Sequence, residues 1–97
     1  MLGMPGTLLT EEQISELLRS HPEWSRSGDR LSRAYQFRSF VEAFGFMTKV
    51  AIIAEKLFHH PEWSNVYGTV EIVITDHDAG GLSSNDQTFI EQVDALG

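Results

Sequence analysis

The sequence predicts an α+β fold, a four-stranded antiparallel sheet with three helices on one face, in the order α-β-β-α-β-β-α. Three observations carry this expectation. Apolar residues recur at helical spacing in three stretches, and two pairs of intervening stretches alternate as strands do. The pentapeptide HPEWS also occurs twice, at 21–25 and 60–64, each time where a helical stretch gives way to an extended one. The 97 residues suit a single domain, 1–97. A chain this short buries only about 60 to 65% of its unfolded surface, so association would widen a thin stability margin.

Thr10 ahead of Glu11, Glu12 and Gln13 fits a capping box, and Ile14, Leu17 and Leu18 follow at helical spacing, which predicts a first helix over 11–20. His21-Pro22 closes it, because a residue before proline is pushed out of the α region. The chain is then extended from Glu23, turns at Ser27-Gly28-Asp29, and returns as a strand over 31–37 with Leu31, Arg33, Tyr35 and Phe37 on one face. Ser39 with Glu42 reads as a second capping box, opening a helix that runs to about Phe58. Its stripe is Phe40, Ala43, Phe44, Met47, Val50, Ala51, Ala54, Leu57 and Phe58, widened by Val41, Phe46, Ile52 and Ile53. So broad an arc faces a sheet and leaves surface for a partner subunit.

Pro61 stops that helix as Pro22 stops the first. Trp63 to Val66 and Val70 to Thr75 form a second hairpin around Tyr67-Gly68, with Val70, Ile72 and Ile74 on one face and Glu71, Val73 and Thr75 on the other. Ser83 or Ser84 caps a last helix carrying Phe89, Ile90, Val93 and Leu96. Each HPEWS is thus first a joint between helix and strand.

Composition narrows the function. Lys plus Arg number 7 against 14 Asp plus Glu, net charge -7, with no basic cluster to meet phosphates, so no direct nucleic-acid role is expected. No apolar run is long enough to span a bilayer, and the start, MLGMPGTLLT, lacks a secretory pattern, so no membrane partner and a cytoplasmic location are expected. With no cysteine, thiolate catalysis and zinc-thiolate sites are excluded, and chemistry falls to His, Asp, Glu, Ser, Tyr or backbone.

Histidine is where the chemistry concentrates. Glu55 and His59 are four apart on one helix edge, a spacing at which the carboxylate orients the ring and favours its protonated form. His60, directly before Pro61, leaves the helix track. His77 follows the last strand between Asp76 and Asp78. His21 lacks such surroundings and reads as a surface residue at a helix end. Spacing alone leaves acid/base catalysis, metal binding and structural roles open for His59, His60 and His77. Adjacent histidines chelate one ion awkwardly, and neither HExxH nor GxSxG occurs, so no metal site and no serine triad is expected.

Glu55-x3-His59-His60-Pro61-x5-Tyr67-x9-His77-x8-Asp86 resembles the signature of the pterin-4a-carbinolamine dehydratase family, whose mammalian members also serve as dimerisation cofactors of a homeodomain transcription factor. Seven positions fixed across 32 residues are specific, and LTEEQISELL, AFGFMTKVAIIAEKL, HHPEWSNVY and HDAGGLSSND are similar to family segments. The resemblance implies an α+β fold assembling as a homodimer or homotetramer, with sheets joined edge to edge. It implies loss of water from 4a-hydroxytetrahydrobiopterin to give quinonoid dihydropterin, with no metal or organic cofactor, in recycling the cofactor of aromatic amino acid hydroxylases. By position, His59, His60 and His77 would be catalytic, His59 and His77 as proton donors and His60 as the orienting or accepting group. Glu55 and Asp86 would support them, Trp24 would lie near the pterin and Thr75 would hydrogen-bond its ring.

Three residues depart from the vertebrate pattern: Phe58 in place of an aspartate, Ala79 of a cysteine and Asn85 of an arginine. The rival functions are a non-catalytic module that docks another protein on the second helix, and a metal-dependent hydrolase.

Overall fold

The computed structural model describes residues 6–96 and has the predicted element order. Helix α1 is Glu11–Ser20, strands β1 and β2 are Ser25–Ser27 and Arg30–Gln36, and helix α2 is Phe40–Leu57. Strands β3 and β4 are Glu62–Val66 and Thr69–Ile74, and helix α3 is Ser84–Asp94. The strands pair antiparallel in the order β1-β2-β4-β3, so the most apolar strand, β4, lies inside the sheet.

Register follows from the alternation. Leu31 faces Ile74 and Tyr35 faces Val70 across β2 and β4, while Trp63 faces Ile72 across β3 and β4. A slip of one residue would turn this whole row to solvent, which is why the pairing is strongly specified. Over it pack Ile14 and Leu17 of α1, Ala43, Val50 and Ala54 of α2, and Phe89, Ile90 and Val93 of α3. Truncating one of the large members, Phe89 or Ile72, to Ala would cost roughly 3 to 4 kcal/mol. The opposite face shows Ala34, Ser64 and Glu71, all exposed.

Local signals behave as expected at α1, where Thr10 and Gln13 form a complete capping box. At α2 only half of the expected box forms. Ser39 Oγ accepts the Glu42 N–H at 3.1 Å, but the Glu42 carboxylate takes the N–H of Arg38 instead of that of Ser39. At α3 the box is complete, between Ser83 and Asp86.

The second hairpin turns at Tyr67-Gly68 as expected, with Tyr67 in the left-handed conformation at φ 50°. Gly68 is needed for close approach: a Cβ there would stand 2.4 Å from the Phe37 carbonyl, which packs against it where the Phe37 N–H donates to Gly68 O at 2.7 Å.

The expected α2 stripe splits in two. Ala43, Val50 and Ala54 are buried and Phe46, Met47, Ile53 and Leu57 pack beside them. Phe40, Val41, Phe44, Ile52 and Phe58 lie outside, each about half exposed or more. A helix buries one arc against a sheet, and the 100° step per residue carries this second set onto the neighbouring arc. No helix among the described residues is long and apolar enough to cross a membrane.

Candidate functional site

Four chain segments meet at one end of the sheet. Helix α2 ends at Leu57 and delivers His59 and His60 to the start of β3, while β4 ends at Ile74 and delivers Thr75, Asp76 and His77. Glu62 pairs with Val73, so the start of β3 lies beside the end of β4, and Glu62 Oε2 is 4.0 Å from His77 Nε2. The N-terminus of α3 closes the group with Ser83 and Asp86.

The turn after α2 decides which histidine meets which carboxylate. Phe58 takes left-handed backbone (φ 53°, ψ 42°), an uncommon state for a bulky residue. The Phe58 N–H then reaches Glu55 O at 3.2 Å and the His59 N–H reaches Ala54 O at 3.0 Å, the double closure of a Schellman turn. His59 is thereby swung inward towards α3. The expected pairing of Glu55 with His59 is corrected on this point: Glu55 Oε1 sits 2.6 Å from His60 Nε2, and His59 Nε2–H donates to Asp86 Oδ1 at 2.7 Å.

His59 is buried, its ring edge-on to Phe89, and Asp86 is fully buried. Asp86 is held by its other oxygen, which accepts the Ser83 N–H at 2.8 Å as part of the α3 capping box. A carboxylate fixed by backbone fixes in turn the tautomer and angle of the imidazole it accepts from. His60 is half exposed, held by Glu55 and by the edge of the Phe58 ring 5.8 Å away. His77 is the most open, its side chain 77% exposed.

Thr75, Asp76 and His77 line a hollow of about 400 Å³ with Gly80, Gly81, Ser27, Asp29 and Arg30. Its volume is that of small-molecule sites. His59 and His60 do not line it. Glu62 of β3 pairs with Arg30 and lies 4.0 Å from His77, both of which line the hollow.

Sequence reasoning missed one member. By sequence Asp76 is a flanking charge for His77, yet it is 5% exposed and bonded to the N-terminus of α3. Its Oδ2 accepts from Ser83 Oγ at 2.6 Å and from Asn85 Nδ2 at 3.3 Å, and its Oδ1 accepts the Ala79 N–H at 3.2 Å. Burial pushes this carboxyl up, but the bonds from Ser83, Ala79 and Asn85 and the positive charge of His59 outweigh it and hold it below the usual carboxylate range. The available signal was Ser83, seven residues on, which as a cap needs an acceptor for its hydroxyl.

Trp24, expected near a pterin, lies in a different cluster. It is 3% exposed, and its Nε1–H donates to Asp94 at 3.0 Å, so its ring is a core element with no open face to offer a ligand. The same carboxylate takes His21 Nδ1–H at 2.7 Å, Arg33 Nη1–H at 3.0 Å and Tyr35 Oη–H at 2.6 Å. Burial raises the Asp94 carboxyl, yet Tyr35, Trp24, His21 and the charge of Arg33 together hold it below its ordinary range. Burial first, then Asp94, push the Tyr35 hydroxyl well above its ordinary value. His21 is therefore no bland surface residue: it is clamped to a carboxylate 73 positions away. Among the described residues no three His, Asp or Glu side chains are grouped as metal ligands would be.

Known proteins resemble this chain over nearly its full length. The family model described as pterin 4 alpha carbinolamine dehydratase matches residues 7–96. A Prochlorococcus marinus (strain MIT 9313) protein, provisionally named a pterin-4-alpha-carbinolamine dehydratase, is 53% identical over 93 residues, covering 96% of this chain and 97% of the relative. A Bradyrhizobium sp. (strain BTAi1) protein of the same provisional name is 49% identical over 90 residues, covering 91% of each chain. A crystal structure from Brucella melitensis, described as a transcriptional coactivator/pterin dehydratase, superposes with a TM-score of 0.86 at 36% identity, covering 91% of this chain and 96% of that one.

Proposed function

The chain belongs to the pterin 4 alpha carbinolamine dehydratase family, and from that membership we propose that it dehydrates 4a-hydroxytetrahydrobiopterin to the quinonoid dihydropterin by histidine acid/base chemistry. The observation that carries this reading is the gathering of His59, His60 and His77 at one sheet end, with Asp86 on His59 and Glu55 on His60.

The reaction moves two protons and no net electrons. One proton goes to the 4a-hydroxyl oxygen, the C4a–O bond breaks and water leaves. The N5 proton is taken up, and the electrons of the N–H bond form the C4a=N5 double bond. Imidazole suits both transfers because its ordinary pKa lies near neutrality. His59 or His77 gives the one proton that leaves with the hydroxyl. His60, held by Glu55, takes the N5 proton or orients the substrate while water takes it, and Thr75 bonds the pterin ring from the His77 side. The product returns to the pool that serves aromatic amino acid hydroxylation in the cytoplasm.

The protein acts as a homodimer or homotetramer. Support for this comes from the exposed α2 arc of Phe40, Val41, Phe44 and Ile52, and from β3, an outer strand of the sheet with one side unpaired. The same arc favours one second reading, a protein-docking role in line with the coactivator description of the Brucella melitensis relative.

The test is direct. Purified protein is mixed with freshly generated carbinolamine and the approach to quinonoid dihydropterin is followed by absorbance, with and without chelator. Acceleration indifferent to chelator is expected. A rate equal to the buffer rate overturns the enzyme reading and leaves the docking one.

A further inference from the structure

We infer that Asp76 is a positioning residue for the proposed dehydration, acting on His59 through Ser83 and Asp86. This inference rests on the dehydratase reading and deepens it. Ser83 joins two buried carboxylates: its hydroxyl donates to Asp76 at 2.6 Å and its backbone N–H donates to Asp86 at 2.8 Å, while Asp86 holds the His59 ring at 2.7 Å. Asp76 therefore anchors the residue that anchors the imidazole's partner. Asn85, where the vertebrate pattern has arginine, also bonds Asp76.

Residues 6–9 cover the relay. The Thr7 N–H donates to Ser84 Oγ, the Ser84 N–H to Thr7 O and the Leu9 N–H to Leu82 O, so residues 7–9 strap the loop before α3. A Cβ on Gly6 would stand 2.2 Å from Ser83 Oγ and 2.9 Å from Asp76 Oδ2, so the backbone lies directly on the pair. Because Asp76, Ser83 and Asp86 are all buried, the charge of Asp76 reaches the His59 ring with less screening than at the surface. The groups facing His59 are Asp86 and Phe89 from α3 and Asp76 from the loop after β4, while Glu55 of its own helix is engaged with His60.

Asp76→Asn and Ser83→Ala separate the two routes. In Asp76→Asn, kcat falls about tenfold with KM within about twofold, since what is lost is orientation rather than uniform binding. The alkaline limb of the kcat profile moves to lower pH, because the negative charge that Asp76 exerts on the imidazole has gone. Ser83→Ala keeps the charge, so it lowers kcat and leaves the limb in place. The exchange-protected His59 ring N–H, followed by proton NMR in the full chain without substrate, weakens in both variants, which reads the relay even if the parent proves to lack dehydratase activity. Should Asp76→Asn not fold, Asp76→Thr reads the same limb. Variants that lose thermal stability while keeping parental kcat, limb and ring N–H signal overturn the inference.

Discussion

The same five residues, HPEWS, build two different joints. At the first copy, His21 and Trp24 converge on Asp94 at the far end of the chain, and with Arg33 and Tyr35 they lock α1, β2 and α3 together. At the second, His60 is half exposed on Glu55, and its neighbour His59 turns inward to Asp86. A proline follows the helix end in both places, two residues after Ser20 and four after Leu57. What differs is the backbone at the helix end: His21 has negative φ (φ −130°, ψ 70°), whereas Phe58 adds a left-handed turn that rotates His59 and His60 away from the helix track. One pentapeptide thus serves as a clamp and as part of the candidate site, and the contrast lies in which carboxylate α3 presents, the one at its last turn or the one at its first.

The largest effect is expected at the second joint. His59→Ala should lower kcat for carbinolamine dehydration by about 10² to 10³-fold, measured by stopped-flow absorbance, because on the proposed mechanism the loss includes both a proton donor and its fixed geometry. A fall in thermal stability with kcat retained would make the second joint a clamp like the first. At the first joint the effect is on folding: Asp94→Ala leaves four donors without their acceptor and should cost roughly 3 kcal/mol in urea unfolding, with kcat of the folded fraction unchanged.

Acid should distinguish the joints as well. A carboxylate depressed in the fold contributes stability that is complete above its unfolded value, 3.8 for Asp94, and lost as pH falls through the lower folded value. Urea midpoints should therefore drop below about pH 4, and Asp94→Asn should flatten that drop. A drop of undiminished size in the variant would move the acid sensitivity to Asp76, the buried carboxylate that is also held low. The smallest effect is at Phe58. Asn tolerates left-handed backbone better than a bulky aromatic, so Phe58→Asn should raise stability by about 0.5 to 1 kcal/mol. A loss there would mean that the ring contact with His60 outweighs the strain.

Much of this was legible locally. Thr10, Pro22, Ser39 and Pro61 punctuate the chain so clearly that α1 occupies the expected 11–20, and the alternation at 70–74 gives the central strand. The partners were not legible, because they depend on a single backbone angle or on contacts far apart in sequence. Phe58 gives no sign in its residue type of a left-handed turn, and that turn moved Glu55 from His59 to His60. The bond between His21 and Asp94 spans 73 positions. Asp76 was hidden by its neighbour, since alternation cannot tell a carboxylate beside His77 from one turned back under α3.

The paired variants His21→Ala and His60→Ala test the difference between the two joints most directly, since they remove the same residue from the same pentapeptide. Each is measured for dehydration kcat and for urea stability at neutral pH. His21→Ala is predicted to lose roughly 1 to 2 kcal/mol of stability with kcat retained, and His60→Ala to lose kcat by more than about tenfold with stability retained. Equal effects of the two substitutions on both quantities would contradict the division of labour.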